Sequence, residues 1–297
     1  MGSIIITGAG GFVGGALTKK FTDNGFNVIA ISQVFNDDFP DNNHVTRREV
    51  EIATIEDLLS VIPKGEYEAF YHLAWQGING PQKADPIIQT ENIRMMIVCA
   101  QVAKALCCKK FLCSGTVAER AVESLPRLDK TSGGMMYSVA KYCAHLILEN
   151  YCKTTDMDFI WMQFSNIYGP HNKTGNLVSY TLSQLKAGNA ALFGPALQPY
   201  DFIYVDDIIE AVYRLGICKT KKNYYFIGSG SPRILKDYLM KIGELYGRVD
   251  LLIINARQDD GITYTKEMFD TKDLVEDIGD YITGTFEKHI EYTIQNF

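Results

Sequence analysis

The chain has no run of the roughly 18 to 20 consecutive apolar residues that a membrane-spanning helix requires. Near Met1 it has no basic flank followed by a small-residue cleavage site, so no secretory leader is expected. Ile6 also stands where an N-myristoylation signal needs Ser or Thr. Positive charge is scarce: 29 Lys and Arg against 35 Asp and Glu leave a formal net charge of -6, and the densest basic run is Lys219, Lys221 and Lys222. Nucleic acid held by bulk electrostatics is therefore not expected. The seven cysteines (Cys99, Cys107, Cys108, Cys113, Cys143, Cys152 and Cys218) are odd in number and lack C-x-x-C spacing. They read as small core residues of a reducing compartment rather than as a metal or redox site. These absences predict a cytoplasmic protein without a nucleic-acid, membrane or metal partner.

What is present is a regular alternation. With 297 residues, 46% of them hydrophobic, the chain can bury one large domain or a main domain carrying a smaller one. Residues 3–7 read as a short buried strand, and Phe12, Val13, Ala16, Leu17 and Phe21 then recur at helical spacing. Strands are predicted at 27–31, 69–74, 110–113 and 159–164, and helices at 55–61, 86–106 and 136–151. Strands alternating with helices argue for an α/β fold in which a parallel sheet is covered on both faces, a doubly wound arrangement. After Asn166 the punctuation changes, with Gly169-Pro170, Gly194-Pro195 and Gly228 to Pro232 separating shorter elements. The expected division is a main domain over 1–165, with returning segments from about 197–230, and a smaller, interleaved C-terminal α/β lobe over 166–297.

Five glycines fall between the first strand and the first helix, in Gly8-Ala9-Gly10-Gly11-Phe12-Val13-Gly14-Gly15. Gly8, Gly11 and Gly14 suit the first strand-to-helix turn of a doubly wound sheet. There the backbone must take positive φ and approach a pyrophosphate at a helix N-terminus. No Gly-Lys-Ser/Thr follows, which disfavours a P-loop; a glycine-rich turn with no ligand is the plainer alternative.

Thr7-Gly8-Ala9-Gly10-Gly11-Phe12-Val13-Gly14 resembles the cofactor motif of the extended short-chain dehydrogenase/reductases, the NAD-dependent epimerase/dehydratase family acting on nucleotide sugars. Further matches follow in the family's order: His72-Leu73-Ala74, a helix asparagine at Asn92, Tyr137-Ser138-Val139-Ala140-Lys141, Asn166-Ile167-Tyr168-Gly169-Pro170, and Asp201-Phe202-Ile203-Tyr204-Val205-Asp206-Asp207. The resemblance covers residues 3 to 215 well and the remainder poorly. It implies a Rossmann sheet for the main domain and a substrate-binding role for the C-terminal lobe. It also implies an NAD or NADP cofactor held by Gly8, Gly11, Phe12, Val13, Gly14, Ser32, Leu73, Ala74, Asn92, Tyr137 and Lys141. A nucleotide-sugar substrate touched by Thr116 and Asn166 is implied as well, and so is a homodimer through the two long helices.

The resemblance makes Tyr137, Lys141 and Thr116 the catalytic set. Tyr137 and Lys141 lie four apart, on one face of a helix. As the family implies, the phenol exchanges a proton with the sugar oxygen, Lys141 also holds the cofactor ribose, and Thr116 hydrogen-bonds the reacting oxygen. For Tyr137 to act as a base its pKa must fall from ~10 to ~7, about 4 kcal/mol of selective stabilisation of the phenolate, to which a nearby ammonium and a positively charged nicotinamide are both expected to contribute. His72 is assigned to the core. Trp75 either lines the cleft or packs in the core, and Asn166 either contacts substrate or caps its loop.

The chain also departs from the family. Ser32 replaces the usual acid at the end of the second strand, so NAD and NADP stay open. Val117-Ala118 replaces the Asp-Glu of the dehydratases, so dehydration is not expected. Gln163 and Tyr200 stand where arginines commonly contact the diphosphate, and Arg233, Arg248 or Arg257 are the substitutes the sequence offers. The expectation is an NAD(P)-dependent 4-keto-sugar reductase or 4-epimerase. The alternative is a dinucleotide sensor or scaffold that has lost its chemistry.

Overall fold

The computed structural model describes residues 2–123, 133–172, 174–258 and 264–297. Its frame is a seven-stranded, all-parallel sheet of the Rossmann type. In chain order the strands are β1 (Ser3–Thr7), β2 (Asn27–Ser32), β3 (Val45–Glu49), β4 (Ala69–His72), β5 (Phe111–Thr116), β6 (Phe159–Phe164) and the edge strand Tyr224–Ile227. In space they run Tyr224–Ile227, β6, β5, β4, β1, β2, β3. The winding therefore reverses between β1 and β4, where Thr7 lies opposite His72.

Period-two geometry explains the two cores. In β1, Ile4 and Ile6 point to one face of the sheet and Ile5 to the other, and all three are fully buried. Ile4 and Ile6 join a cluster with Leu17 and Phe21 of α1 (Phe12–Asp23) and with Ile208 and Val212 of the helix Val205–Ile217. Ile5 joins Leu58 of α2 (Ile55–Val61), Met96 and Cys99 of α3 (Pro86–Ala105), and Ala144 and Leu148 of α5 (Gly133–Thr154). Asp85 starts α3 by accepting the N–H groups of Ile87 and Ile88, with Pro86 in the first turn where no N–H is needed.

Several boundaries differ from expectation. The strand expected over 69–74 stops at His72, leaving Leu73 and Ala74 in the turn above the sheet, and β5 runs on to Thr116. Strand β3 reads Val-Thr-Arg-Arg-Glu and sits at the sheet edge half-exposed, so it lacks the apolar run that marks the central strands. A short helix, α4 (Glu119–Glu123), follows β5. Beyond Asn166 the small strands pair locally: Asn166–Tyr168 with Phe202–Tyr204, and Pro199–Tyr200 with Arg233–Ile234. The strand Tyr224–Ile227 then returns to the main sheet beside β6. No helix of the described residues is long and apolar enough to cross a membrane.

Candidate active site

A cavity of about 730 Å³ opens at the carboxyl ends of the strands, across the point where the winding reverses. Gly8, Gly11, Phe12, Val13, Gly14, Ser32, Leu73, Ala74, Asn92, Thr116, Tyr137, Lys141 and Asn166 all line it. The sequence scatters these residues over more than 150 positions; the fold brings every one of them to a single cleft.

The floor at β1 is a backbone cradle. Gly8 has φ +74°, and a Cβ there would come within 2.5 Å of the Ala74 nitrogen. A Cβ on Gly14 would overlap the Gly8 carbonyl oxygen and sit 2.7 Å from the Ala9 Cα. Helix α1 begins at Gly11 with no side chain capping its first turn, so its N-terminal N–H groups remain for a ligand. Close backbone approach, free amides and the positive end of a helix together fit a dinucleotide pyrophosphate.

At the adenosine end of such a ligand, Ser32 ends β2 and supplies a hydroxyl and no charge. The carboxylate at this end comes from Glu51, just past β3, which the sequence reading missed together with β3 itself. Val50 donates its N–H to Ser32 O at 3.0 Å, which ties the two strand ends together. The nearby cation, Arg94, is engaged by Glu91 at 2.6 Å and by the Ala53 carbonyl.

At the other end, Lys141 is buried and donates from Nζ to the Ser114 carbonyl at 2.7 Å, with the ring centre of Trp75 3.9 Å away. Trp75 also meets Tyr137 edge-on, with centroids 5.9 Å apart, so it lines the cleft as well as packing. Its indole N–H donates to Gln89 Oε1 at 2.9 Å. Lys83 brings a second ammonium 5.2 Å from the centre of the Tyr137 ring. Within the chain itself burial pushes the Tyr137 phenol up, and a hydrogen bond with Thr116 opposes that rise. Desolvation pulls the Lys141 ammonium below the ordinary lysine range, opposed by the negative charge of Glu119.

Two of the polar candidates already have their partners. Asn92 accepts the Gln76 N–H and donates to the Gln76 carbonyl, both at 2.8 Å, and so clasps the turn that carries Trp75. Asn166 donates to the Asp201 carbonyl at 3.0 Å and accepts from the Tyr200 hydroxyl at 2.9 Å. Tyr200, in the arginine position, thus braces the site wall. Gln163, in the other, accepts from Arg120 and from the Tyr224 hydroxyl, both at 2.6 Å. None of the three substitute arginines lines the cavity: Arg233 pairs with Glu287, Arg248 with Asp250, and Arg257 donates to Tyr180. His72 is buried against the Thr7 hydroxyl at 2.7 Å, as a core histidine.

The sequence matches the family model of the NAD dependent epimerase/dehydratase family over residues 4–225. The chain belongs to that family. A UDP-glucose 4-epimerase of Mycolicibacterium smegmatis is 24% identical over 264 residues, covering 83% of each chain. The structure of a Thermotoga maritima UDP-glucose 4-epimerase with UDP-glucose superposes with a TM-score of 0.80 at 21% identity, over 99% of this chain and 98% of that one. An NAD-dependent NDP-hexosamine 5,6-dehydratase of tunicamycin biosynthesis superposes with a TM-score of 0.81 at 19% identity, over 99% and 97%. The family thus spans epimerases and dehydratases on one fold, and these likenesses carry the fold rather than the reaction.

Proposed function

We propose that this chain is an NAD-dependent enzyme of nucleotide-sugar metabolism, a 4-epimerase or a 4-keto-sugar reductase. The observation that carries the reading is the convergence of the glycine cradle with Thr116, Tyr137 and Lys141 on one cavity. A dinucleotide bound across the cradle supplies hydride donation and acceptance. The Tyr137 hydroxyl exchanges its proton with the sugar oxygen, and the Thr116 hydroxyl holds that oxygen in place. Lys141 lends positive charge beside the phenol and reaches the ribose. Val117 and Ala118 offer no acid or base for eliminating water, which speaks against dehydration. Glu51, with no unpaired guanidinium or ammonium beside it among the described residues, favours NAD over the 2′-phosphate of NADP. Asn172, Thr174 and Asn176 line the far wall, so the lobe after residue 166 takes the sugar nucleotide.

A homodimer fits the surface as well. Leu146 and Ile147 on α5 and Ile87 on α3 are exposed by 48%, 44% and 70%. Leu146→Glu should then halve the mass measured in solution at micromolar concentration, and an unchanged mass would remove this face from the interface.

A sensor or scaffold would need the cradle but not a tyrosine, lysine and threonine brought together at its far end. The deciding experiment is to denature the purified protein and identify any released nucleotide by mass spectrometry. Near-stoichiometric NAD would mark a retained, recycled cofactor and an epimerase. An empty protein that binds added reduced dinucleotide would mark an exchanging reductase. A protein that neither releases nor binds a dinucleotide would end this reading.

A further inference from the structure

Directly behind the cavity lies a carboxylate that the proton-transfer chemistry does not use. Glu119, at the start of α4, is fully buried. Its Oε1 accepts the Thr116 backbone N–H at 2.6 Å, and its Oε2 accepts the indole N–H of Trp161 on β6 at 3.0 Å. Room for this pair comes from Gly115: a Cβ there would overlap the Trp161 indole nitrogen and sit 2.8 Å from Glu119 Oε1. Gly115, Thr116, Glu119 and Trp161 therefore form one packed unit at the end of β5.

A carboxylate taken out of water is costly unless it is paired. Two neutral N–H donors satisfy part of its capacity, and burial still raises its pKa to about 7. The buried ammonium of Lys141 on α5 is held at the same strand end, on the Ser114 carbonyl two residues before Thr116, and its charge works against that rise. His145, also on α5, does not take that role. Its Nδ1 is 4.0 Å from Glu119 Oε2, too long for a hydrogen bond, and burial between the Trp161 and Tyr224 rings holds it neutral with a pKa of about 4. Among the described residues the remaining groups facing Glu119 are Glu123 on its own helix, Tyr137 on α5 and Tyr224 on the edge strand. Lys141 is faced in addition by Cys113 and His72 from the sheet. Of these, Glu119 and then Cys113 favour the charged form of Lys141.

We propose that Glu119 is a positioning residue of the proton-transfer site, fixing Thr116 through its peptide N–H and standing as the buried acid at the strand end that also holds Lys141. The proposal rests on the reading of Tyr137 and Lys141 as the working pair. The effect has a defined sign. With Glu119 present, Lys141 keeps its proton to higher pH; with a neutral isostere there, it loses it sooner.

The test is an NMR titration of the full chain labelled with 13Cε-lysine, without added ligand, with the Lys141 resonance assigned by its loss in Lys141→Met. In Glu119→Gln the Lys141 midpoint should fall by about one pH unit, a tenfold loss of proton affinity. In Trp161→Phe, which deletes one hydrogen bond to Glu119 and no charge, it should move by less than ~0.3 unit. Equal midpoints in wild type and Glu119→Gln would overturn the proposal, and so would equal shifts in both variants. If Glu119→Gln does not fold, Glu119→Asp decides. It keeps the charge and shortens the arm, so kcat should fall at least ~10-fold with KM and the Lys141 midpoint unchanged. An unchanged kcat, or a moved midpoint, would count against Glu119. The titration needs no dinucleotide, so a chain that binds none would end the functional reading and still report on this pair.

Discussion

The carbonyl oxygen of Gly8 occupies the space in which a side chain on Gly14 would begin. The turn and the first helical residues thus touch backbone to backbone, and only hydrogen fits between them. Gly15, one residue on, meets nothing closer than 3.6 Å. Gly14→Ala should therefore cost about 1 to 3 kcal/mol and weaken dinucleotide binding by at least ~10-fold. Gly15→Ala should stabilise the helix by roughly 0.5 to 1 kcal/mol. Urea unfolding and fluorescence titration of both variants check the contrast; equal effects would show that the close approach is not what matters.

Tyr137→Phe keeps the edge-on contact with Trp75 and removes the hydroxyl. Turnover should fall by roughly 10²- to 10⁴-fold, while dinucleotide affinity stays within about twofold. Steady-state kinetics and equilibrium binding on one preparation separate the two quantities. A phenylalanine variant with wild-type turnover would take Tyr137 out of the chemistry.

The carboxylate of Glu51 stands at the strand ends joined by the Val50 to Ser32 hydrogen bond. Since Glu51 is exposed, its repulsion of a 2′-phosphate is screened. Glu51→Gln should improve NADP affinity by only about two- to fivefold and leave NAD affinity nearly unchanged. Competition binding of the two dinucleotides measures the ratio. A ratio unmoved by the substitution would assign the preference to Ser32 and the backbone.

Two buried histidines set an acid response. Burial lowers His72 to about 3 and His145 to about 4, both below the ordinary 6.5. The folded state then binds fewer protons than the unfolded chain between those values. Their contribution is fully present above pH ~6.5 and is lost as pH falls through the folded values, by at most ~1.4 kcal/mol per unit for each group. His145→Phe keeps the stack between Trp161 and Tyr224 and should flatten this slope between pH 6.5 and 4. Unfolding free energies at pH 7, 6 and 5 decide; parallel curves for the two proteins would exonerate His145.

The central strands and the glycine turn were legible because each leaves a local mark, a β-branched run or a cluster without Cβ atoms, whereas Thr116, Tyr137, Lys141, Asn92 and Asn166 were legible through the resemblance to a known family. Strand β3 left none, since an edge strand carries polar residues on its exposed side, and Glu51 was lost with it. Glu119 escaped because its partner donors are a peptide N–H on β5 and an indole on β6, brought together only by the sheet. The desolvation that raises the Tyr137 phenol was invisible for a related reason, since it is a property of the packed cleft.

Gln89 and Asn92 stand three apart on α3 and reach the same turn, one holding the Trp75 indole and the Gly77 carbonyl, the other both backbone groups of Gln76. Four side-chain hydrogen bonds thus hold the turn to α3, so the placing of the cleft's tryptophan is inherited from that helix and not from the turn's own backbone.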